Sequence, residues 1–416
     1  MMKILVSGSG AGAQALAWKL LYSPQVEKVF LAPGNPASAR EPRMENIPVK
    51  ASDIEGLAKA AKELAVDFTL ITPTQTLAAG VADYFKQHGL PIIAPSQAAS
   101  KLEWSKIYSK SLMNKYNIPT PQSRLCRTSD EARAFVRSLS FPLVIKADGM
   151  VHGGTGVVIV KDQAAFDDAI SQLTPSVEAP VLLEQFIDGD EVSYTLLFDG
   201  ENILPLAESR DYKKLNNADE GPNTGGMGAY SPVLTDDQHK MIMEKLVAPC
   251  IAALASEKID YLGFLYFGVM LDKQGQPLLL EINCRLGNPE IFTILERLKS
   301  PLHEIFALAL KKRLDLANPI WSDDVAVALQ ISSAGYPFTD RKGDVITLPV
   351  PDADSHIFHS SVVSDGDKLI SNGGRVIAIS STGKTFHEAR KRLYATASQV
   401  RFTGMHYRTD IAEHLE

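Results

Sequence analysis

Short apolar runs closed by turn signals recur through the first hundred positions. They are Ile4-Leu5-Val6-Ser7, Val29-Phe30-Leu31-Ala32, Phe68-Thr69-Leu70-Ile71 and Pro91-Ile92-Ile93-Ala94. A helix-like run, Ala15-Leu16-Ala17-Trp18-Lys19-Leu20, follows the first of them. Buried-type strands alternating with helices predict a doubly wound α/β domain, which this pattern ends near residue 103. The first turn, Gly8-Ser9-Gly10-Ala11-Gly12-Ala13, fits a G-x-G-x-x-A pattern for a dinucleotide. The second run ends at Pro33-Gly34-Asn35, however, with no acidic residue to hold a ribose, so an NAD site is disfavoured.

A helical stretch over Trp104–Tyr116 and a proline-marked linker, Ile118-Pro119-Thr120-Pro121, come next. Pro142–Asp148 reads as a strand carrying one lysine, Lys146. The loop Gly149–Gly156 and the strand Val157–Val160 complete a strand–glycine-loop–strand unit. Such a hairpin can fold over polyphosphate, since glycines let backbone N–H groups approach closely; its other reading is a flexible hairpin. The G-K-[ST] ending of a P-loop is missing. Val181–Ile187 is a buried strand, Asp188–Glu191 a turn, and Val192–Phe198 a further strand. Strand-end acceptors and acids suit adenine and ribose hydroxyls, although Glu191 alone reads as a solvated turn residue. Asp211-Tyr212-Lys213-Lys214 and Asp219–Pro232 read as one long polar, glycine-rich loop. A loop of that length inside a compact chain is usually functional or disordered. Asn223, Thr224 and the backbone of Gly225, Gly226 and Gly228 suit an anion. A helix over Asp236–Ser256 leads to a hairpin containing Tyr266–Leu271.

The next strand, Leu278–Arg285, carries the chemistry. Alternation puts Glu281, Asn283 and Arg285 on one face, with Leu280, Ile282 and Cys284 on the other. A carboxylate and an amide oxygen are hard ligands for Mg²⁺ or Mn²⁺, completed by substrate phosphates and water. Arg285 can grip phosphate or carboxylate bidentately. The alternative is an amphipathic edge strand with a solvated polar face. From Ala326 the texture changes to short strands, Val325–Ile331, Asp344–Leu348, His356–Ser360 and Arg375–Ser380, with a last helix near Thr385–Ser398. This predicts a small α+β domain. Arg375, after the turn Asn372-Gly373-Gly374, is either a solvated charge or a substrate anchor.

Bulk numbers set the frame. A chain of 416 residues is too long for one core. Its 45% hydrophobic and 22% charged residues are ordinary for a globular protein, and its net charge of −7 gives no reason to expect nucleic acid. Cys126, Cys250 and Cys284 lie far apart, which predicts reduced thiols and a cytoplasmic location. No apolar run is long enough to span a bilayer, and Lys3-Ile4-Leu5-Val6 opens a strand without a signal-peptide pattern.

The motifs together resemble the phosphoribosylamine–glycine ligase (glycinamide ribonucleotide synthetase) family of the ATP-grasp superfamily. They include Ala32-Pro33-Gly34-Asn35, Ser105-Lys106, Ile145–Gly149, Asn372–Arg375 and, most specifically, Gly221-Pro222-Asn223-Thr224-Gly225-Gly226-Met227-Gly228-Ala229-Tyr230-Ser231-Pro232. The resemblance implies an ATP-grasp fold divided at 1–103, 104–190, 191–325 and 326–416. It implies ATP and Mg²⁺, small-molecule carboxylate and amine substrates, and a monomer or homodimer. It further implies that Lys106, Lys146, Gly153 and Gly154 meet ATP phosphates. Glu184, Phe186 and Ile187 would line an adenine slot, and Glu191 would hold the ribose. Glu281 and Asn283 would ligate metal, and Arg285, Asn223 and Lys213 would act at the reacting groups. Asp211, Thr224, Gly225, Gly226, Met227, Gly228 and Arg375 would contact substrate. The activity implied is amide formation through an acyl phosphate.

Departures from the family pattern are concentrated. G-G-R-E-H-A-L is here Gly10-Ala11-Gly12-Ala13-Gln14-Ala15-Leu16. G-P-E-A-P-L is Thr72-Pro73-Thr74-Gln75-Thr76-Leu77. D-P-E-T-Q is Asn288-Pro289-Glu290-Ile291-Phe292, and D-H-K-R is Asp211-Tyr212-Lys213-Lys214. The lid loop G-L-A-A-G-K-G becomes Gly149–Gly156, one residue longer and without its lysine. Charge-assisted hydrogen bonds are worth about 1.5–3 kcal/mol each, so their loss leaves a sugar phosphate poorly held. The expectation is an active ligase with an altered amine acceptor, in a specialised pathway. The alternatives are an authentic purine-biosynthetic synthetase and a non-catalytic ATP-binding homologue.

Overall fold

A parallel sheet builds the N-terminal quarter of the computed structural model, which describes residues 1–149 and 156–415. Its strands are β1 (Met2–Gly8), β2 (Val26–Pro33), β3 (Met44–Asn46), β4 (Phe68–Ile71) and β5 (Ile92–Ile93). Their order is β3-β2-β1-β4-β5, all parallel. Helices cover both faces, so the strands are apolar runs rather than alternating ones. The helix α1 (Ala11–Leu21) leaves the β1 turn and packs against the helices Glu290–Arg297 and Leu302–Leu310. Asn35, where a dinucleotide fold would need its acid, is buried. Its amide donates to the Ser9 and His359 carbonyls and its Oδ1 accepts from the Ala37 and Ser38 N–H groups. No polar atom of it remains for a ribose.

The second sheet comprises β6 (Ser123–Cys126), β7 (Leu143–Ala147), β8 (Val157–Val160) and β9 (Val181–Gln185), in the antiparallel order β6-β9-β7-β8. The helices Ser129–Val136 and Gln163–Leu173 close its own small core. A third, antiparallel sheet runs Ile203–Pro205, Gly189–Phe198, Gly263–Asp272, Pro277–Asn283. The turn expected at Asp188–Glu191 is shorter than that. The ladder begins at Gly189, opposite Asp272, and puts Glu191 opposite Met270. A long partner strand extends the pairing over residues whose own preference is for a turn.

The stretch 211–232 is not an open loop. Arg210–Asp211 pairs with Gly228–Ser231, and inside that ladder Lys214–Asn216 pairs with Glu220–Asn223. This nested arm is held because Gly228–Ser231 also pairs with Val325–Ser332. One sheet therefore runs Arg210–Asp211, Gly228–Ser231, Val325–Ser332, Arg375–Gly383, Ser355–His359. It crosses the boundary drawn at 326, since its edge is built from residues a hundred positions earlier. Two strands missed in the sequence, Val362–Asp365 and Lys368–Asn372, form a small sheet with Lys342–Ile346. Asp236–Ser256 is helical throughout, with a π-helical segment over Met243–Val247. The last helix, Phe386–Ala397, is capped by Thr385, whose side chain accepts from the Glu388 N–H.

The three cysteines are buried and free. No helix among the described residues is long and apolar enough to cross a membrane.

Candidate active site

The strand Pro277–Asn283 departs from strict alternation. Gly268 opposes Glu281 and Val269 opposes Leu279, so Leu280 is bulged out of the ladder. Leu279 and Ile282 both enter the core, while Leu280, Glu281, Asn283 and Arg285 line a cleft. Leu280 was expected on the core face; the bulge turns it to the cleft side and leaves its carbonyl for the Lys146 Nζ at 3.1 Å. Gly268 makes the close pairing possible. A Cβ there would lie 2.9 Å from the Glu281 Cγ.

Glu281 and Asn283 sit together, with the Asn283 Nδ2 donating to the Glu281 Oε1 at 3.2 Å. Burial alone would raise the Glu281 pKa. The charges of Lys213, Lys146 and Lys106 and the Asn283 hydrogen bond outweigh it and hold the carboxyl below its usual range. No cluster of three His, Cys, Asp or Glu side chains suited to a metal occurs among the described residues. An ionised carboxylate with one adjacent amide oxygen fits Mg²⁺, which keeps waters and takes phosphate oxygens rather than an all-protein cage.

Three lysines come from two elements. Lys106 opens the helix Lys106–Lys115, and Lys110 lies one turn further on the same helix. Lys146 is on β7. Glu184, on β9, bridges two of them: Lys110 Nζ to Oε1 at 2.8 Å and Lys146 Nζ to Oε2 at 2.6 Å, all three side chains buried. Lys110 also donates to the Thr120 Oγ1, which donates to the Leu279 carbonyl beside the bulge. Lys106 makes no ion pair among the described residues, and burial lowers its pKa against the opposing charge of Glu281. Ser105, which caps this helix, and the Ile107 N–H both donate to Asp148. Glu184 was expected at an adenine. It lines the cleft with its carboxylate engaged by the two lysines, and Gln185, Phe186 and Ile187 continue the same wall. Gly153 and Gly154 lie outside the described residues.

The arm supplies Asp211, Lys213, Asn223, Thr224 and Gly225 to the cleft. Lys213 is ion-paired with Glu191, which was expected to hold a ribose. Burial alone would depress Lys213. Glu191, Glu281 and Asp211 outweigh it, so its pKa is raised and it stays charged. Asp211 is half-buried, and its Oδ1 is enclosed without a hydrogen-bond partner among the described residues. Burial first, then the nearby Glu290 charge, holds its carboxyl well above the usual range, against Lys213. Glu290, itself buried, accepts from the Ser193 Oγ at 2.8 Å. Gly226 has φ of 102°, and a Cβ there would fall 2.3 Å from the Pro289 Cδ and 2.6 Å from the Asp211 Oδ1. Thr224 braces the turn: its Oγ1 donates to the Lys213 carbonyl and accepts from the Gly226 N–H. Asn223 donates to the Val157 carbonyl of β8, joining arm to lid sheet. Gly226, Met227 and Gly228 do not line the cleft. Met227 is fully buried, and Gly228 lies in the ladder opposite Leu329.

Both expected arginines are turned toward protein oxygens. The Arg285 Nε contacts Glu103 at 3.0 Å and Thr74 Oγ1 at 3.1 Å, and its Nη1 donates to the Leu286 carbonyl. Glu103 also accepts from the Cys284 N–H and from Thr74. The Arg375 Nη1 donates to the carbonyls of Gly225, Gly226 and Asn288. Arg375 is thus neither freely solvated nor a bare anchor: it ties the arm to the segment after the metal strand, and its guanidinium still borders the cleft.

The cleft encloses about 1020 Å³ between the first domain, both central sheets, the arm and Tyr336 of the C-terminal part. That is the upper end of ligand-pocket size. Lys110, Glu103 and Tyr336 were missed in the sequence. Lys110 was findable, four residues after Lys106 on one helix face; nothing local marked Glu103 or Tyr336.

A lysine-lined cleft between two antiparallel sheets, with an acid and an amide on one strand, defines an ATP-grasp enzyme. Residues 2–103 match the phosphoribosylglycinamide synthetase N domain, residues 104–291 its ATP-grasp (A) domain and residues 326–414 its C domain. The chain belongs to the phosphoribosylglycinamide synthetase family, whose members are ATP-dependent ligases forming C–N bonds. It is 39% identical over 419 residues to the phosphoribosylamine–glycine ligase of Vibrio vulnificus (strain YJ016), covering 99% of this chain and 97% of that one. It superimposes on the crystal structure of phosphoribosylamine–glycine ligase from Thermotoga maritima with a TM-score of 0.84 and 32% identity, over 98% and 99% of the two chains. The biotin carboxylase domain of Hydrogenobacter thermophilus 2-oxoglutarate carboxylase, solved with MgADP, shares the fold at a TM-score of 0.69 and 17% identity, over 97% and 92%.

Proposed function

We propose that the chain is an ATP-dependent carboxylate–amine ligase whose amine differs from phosphoribosylamine. The reaction is RCOO⁻ + R′NH₂ + ATP⁴⁻ → RCONHR′ + ADP³⁻ + HPO₄²⁻. A carboxylate oxygen bonds to the γ-phosphorus as the bond to ADP breaks. The amine nitrogen then bonds to the acyl carbon, phosphate leaves with that oxygen, and one amine proton goes to it. Mg²⁺, when bound, neutralises charge on the phosphates. Glu281 and Asn283 hold it, Lys106 and Lys146 orient the nucleotide, and Phe186 and Ile187 bound the base. Lys213 and Arg285 stand where charge develops on the transferred phosphoryl group. Asn223, Thr224 and Gly225 form the floor against which the two substrates meet. Positioning and fixed cations supply the catalysis; no nucleophilic side chain is required.

One observation carries the altered acceptor. The departures Gly12, Ala13, Thr74, Asn288 and Ile291 line the cleft, whereas Gln14, Thr76 and Phe292 are buried away from it. The authentic synthetase remains a second reading, favoured by 39% identity across 99% of the chain. ADP release with glycine and phosphoribosylamine, against a panel of other amines, separates them: turnover confined to phosphoribosylamine returns the chain to the authentic activity. The reduced, buried cysteines support a cytoplasmic location.

A further inference from the structure

The wall of the cleft formed by the first domain carries no lysine, arginine or histidine among the described residues. Its floor is Ala13, Leu16 and Ile71, each buried, extended by buried Ile291 of the helix Glu290–Arg297, with Gly12, Thr72, Thr74 and Gln75 at the rim and Glu103 paired with Arg285. Every cation bordering the cleft comes from residue 106 or later.

Two other ways of holding an anion here are used in part. In the first turn of α1 the Ala11 N–H donates to the Ser360 Oγ, and the Ala13 and Gln14 N–H groups donate to the Gly10 carbonyl. That helix end is therefore not an open cradle for phosphate, which needs several free N–H groups. The Arg285 Nε and the Arg375 Nη1, on the elements adjoining this wall, point at protein oxygens. The space itself is real: a Cβ on Gly12 would approach nothing closer than 3.7 Å, the Ile291 Cδ1.

We infer that this wall receives the body of the acceptor, and that the acceptor is an amine with a compact, uncharged, largely apolar body and no phosphate. A buried apolar floor selects by area removed from water and penalises a charge left without a partner. The inference rests on the ligase reading and narrows it.

The test uses the full chain with MgATP and glycine as carboxylate. ADP and phosphate release and product mass are measured with n-butylamine and leucinamide, and with phosphoethanolamine and phosphoribosylamine. The expected result is amide formation with the uncharged amines at a kcat/KM at least tenfold above the phosphorylated ones. Gly12→Lys should narrow or reverse that ratio, while Gly12→Ser, which adds bulk without charge, should leave its direction unchanged. Preference for either phosphorylated amine, or equal use of both kinds, overturns the inference while leaving an ATP-dependent ligase in place. No ADP from any pair removes the ligase reading and this inference together.

Discussion

The two ends of the cleft obey different rules. At the proposed nucleotide end, charges are dense and mutually held: buried Glu184 clamps Lys110 and Lys146, and half-buried Glu191 holds Lys213. At the acceptor end, Ala13, Leu16, Ile71 and Ile291 present methyl groups and the rim is Gly12 and Thr74. The first end must meet a polyanion and a divalent cation, so every one of its side chains constrains the next. The second end makes few demands on its neighbours, and substitutions there leave the machinery of phosphoryl transfer intact. On the ligase reading proposed above, that asymmetry would let one chemistry serve different amines.

The comparison breaks most visibly at the metal strand. Glu281→Ala should lower ADP formation on the order of a thousandfold, the scale seen when a group stabilising transition-state charge is removed. Circular dichroism should show the fold retained. A variant that turns over normally would place the metal elsewhere.

A smaller effect tests whether the nucleotide end acts as one unit. With Lys110→Met, Glu184 has only Lys146 to neutralise it and should draw that lysine off the phosphates. The KM for ATP should rise roughly tenfold, the worth of one charge-assisted bond of about 1.5–3 kcal/mol. Adding Glu184→Gln should restore most of the loss. A double variant worse than either single one would mean that Lys110 serves packing alone.

Asp211 links affinity to stability. Its carboxyl is held above the ordinary value of 3.8 by burial and by Glu290. A raised folded-state pKa contributes stability below pH 3.8 that is lost as pH rises through the folded value. Asp211→Asn should therefore melt higher than the parent at neutral pH, with its advantage vanishing below pH 3.8, and should lose activity. Thermal melts across pH check the sign.

The smallest effect is expected at the acceptor end. Gly12→Ala should gain about 0.4–1 kcal/mol from the unfolded state, since its Cβ would make only ordinary contacts, with the Ile291 Cδ1 at 3.7 Å and the Asn288 Nδ2 at 3.9 Å. The KM for ATP should not move. A changed ATP KM would show that the two ends are coupled through α1.

How much of this was written in the sequence varied with distance. The first sheet was legible because β1, β2, β4 and β5 are contiguous apolar runs. Glu281, Asn283 and Arg285 were legible as one polar row, though the Leu280 bulge was not: it depends on Gly268 in the partner strand. The arm read as a loop because its outer ladder is completed by Val325–Ser332, far along the chain. The bridge from Glu184 to Lys110 and Lys146 was not legible, since it joins three separate elements. Arg375 offered two readings, and its bonds to the carbonyls at 225, 226 and 288, distant in sequence, belonged to neither.

The sheet that borrows Gly228–Ser231 from the arm has a consequence for how such a protein can be divided or rebuilt. Cutting the chain near 325 would strip hydrogen-bond partners from that strand and leave an open edge, a template for aggregation. The part of the chain after 325 is thus not an interchangeable module. Any exchange with a relative would have to carry residues 210–231 along with 325–383, so inheritance of this region is expected to follow the sheet rather than the order of the chain.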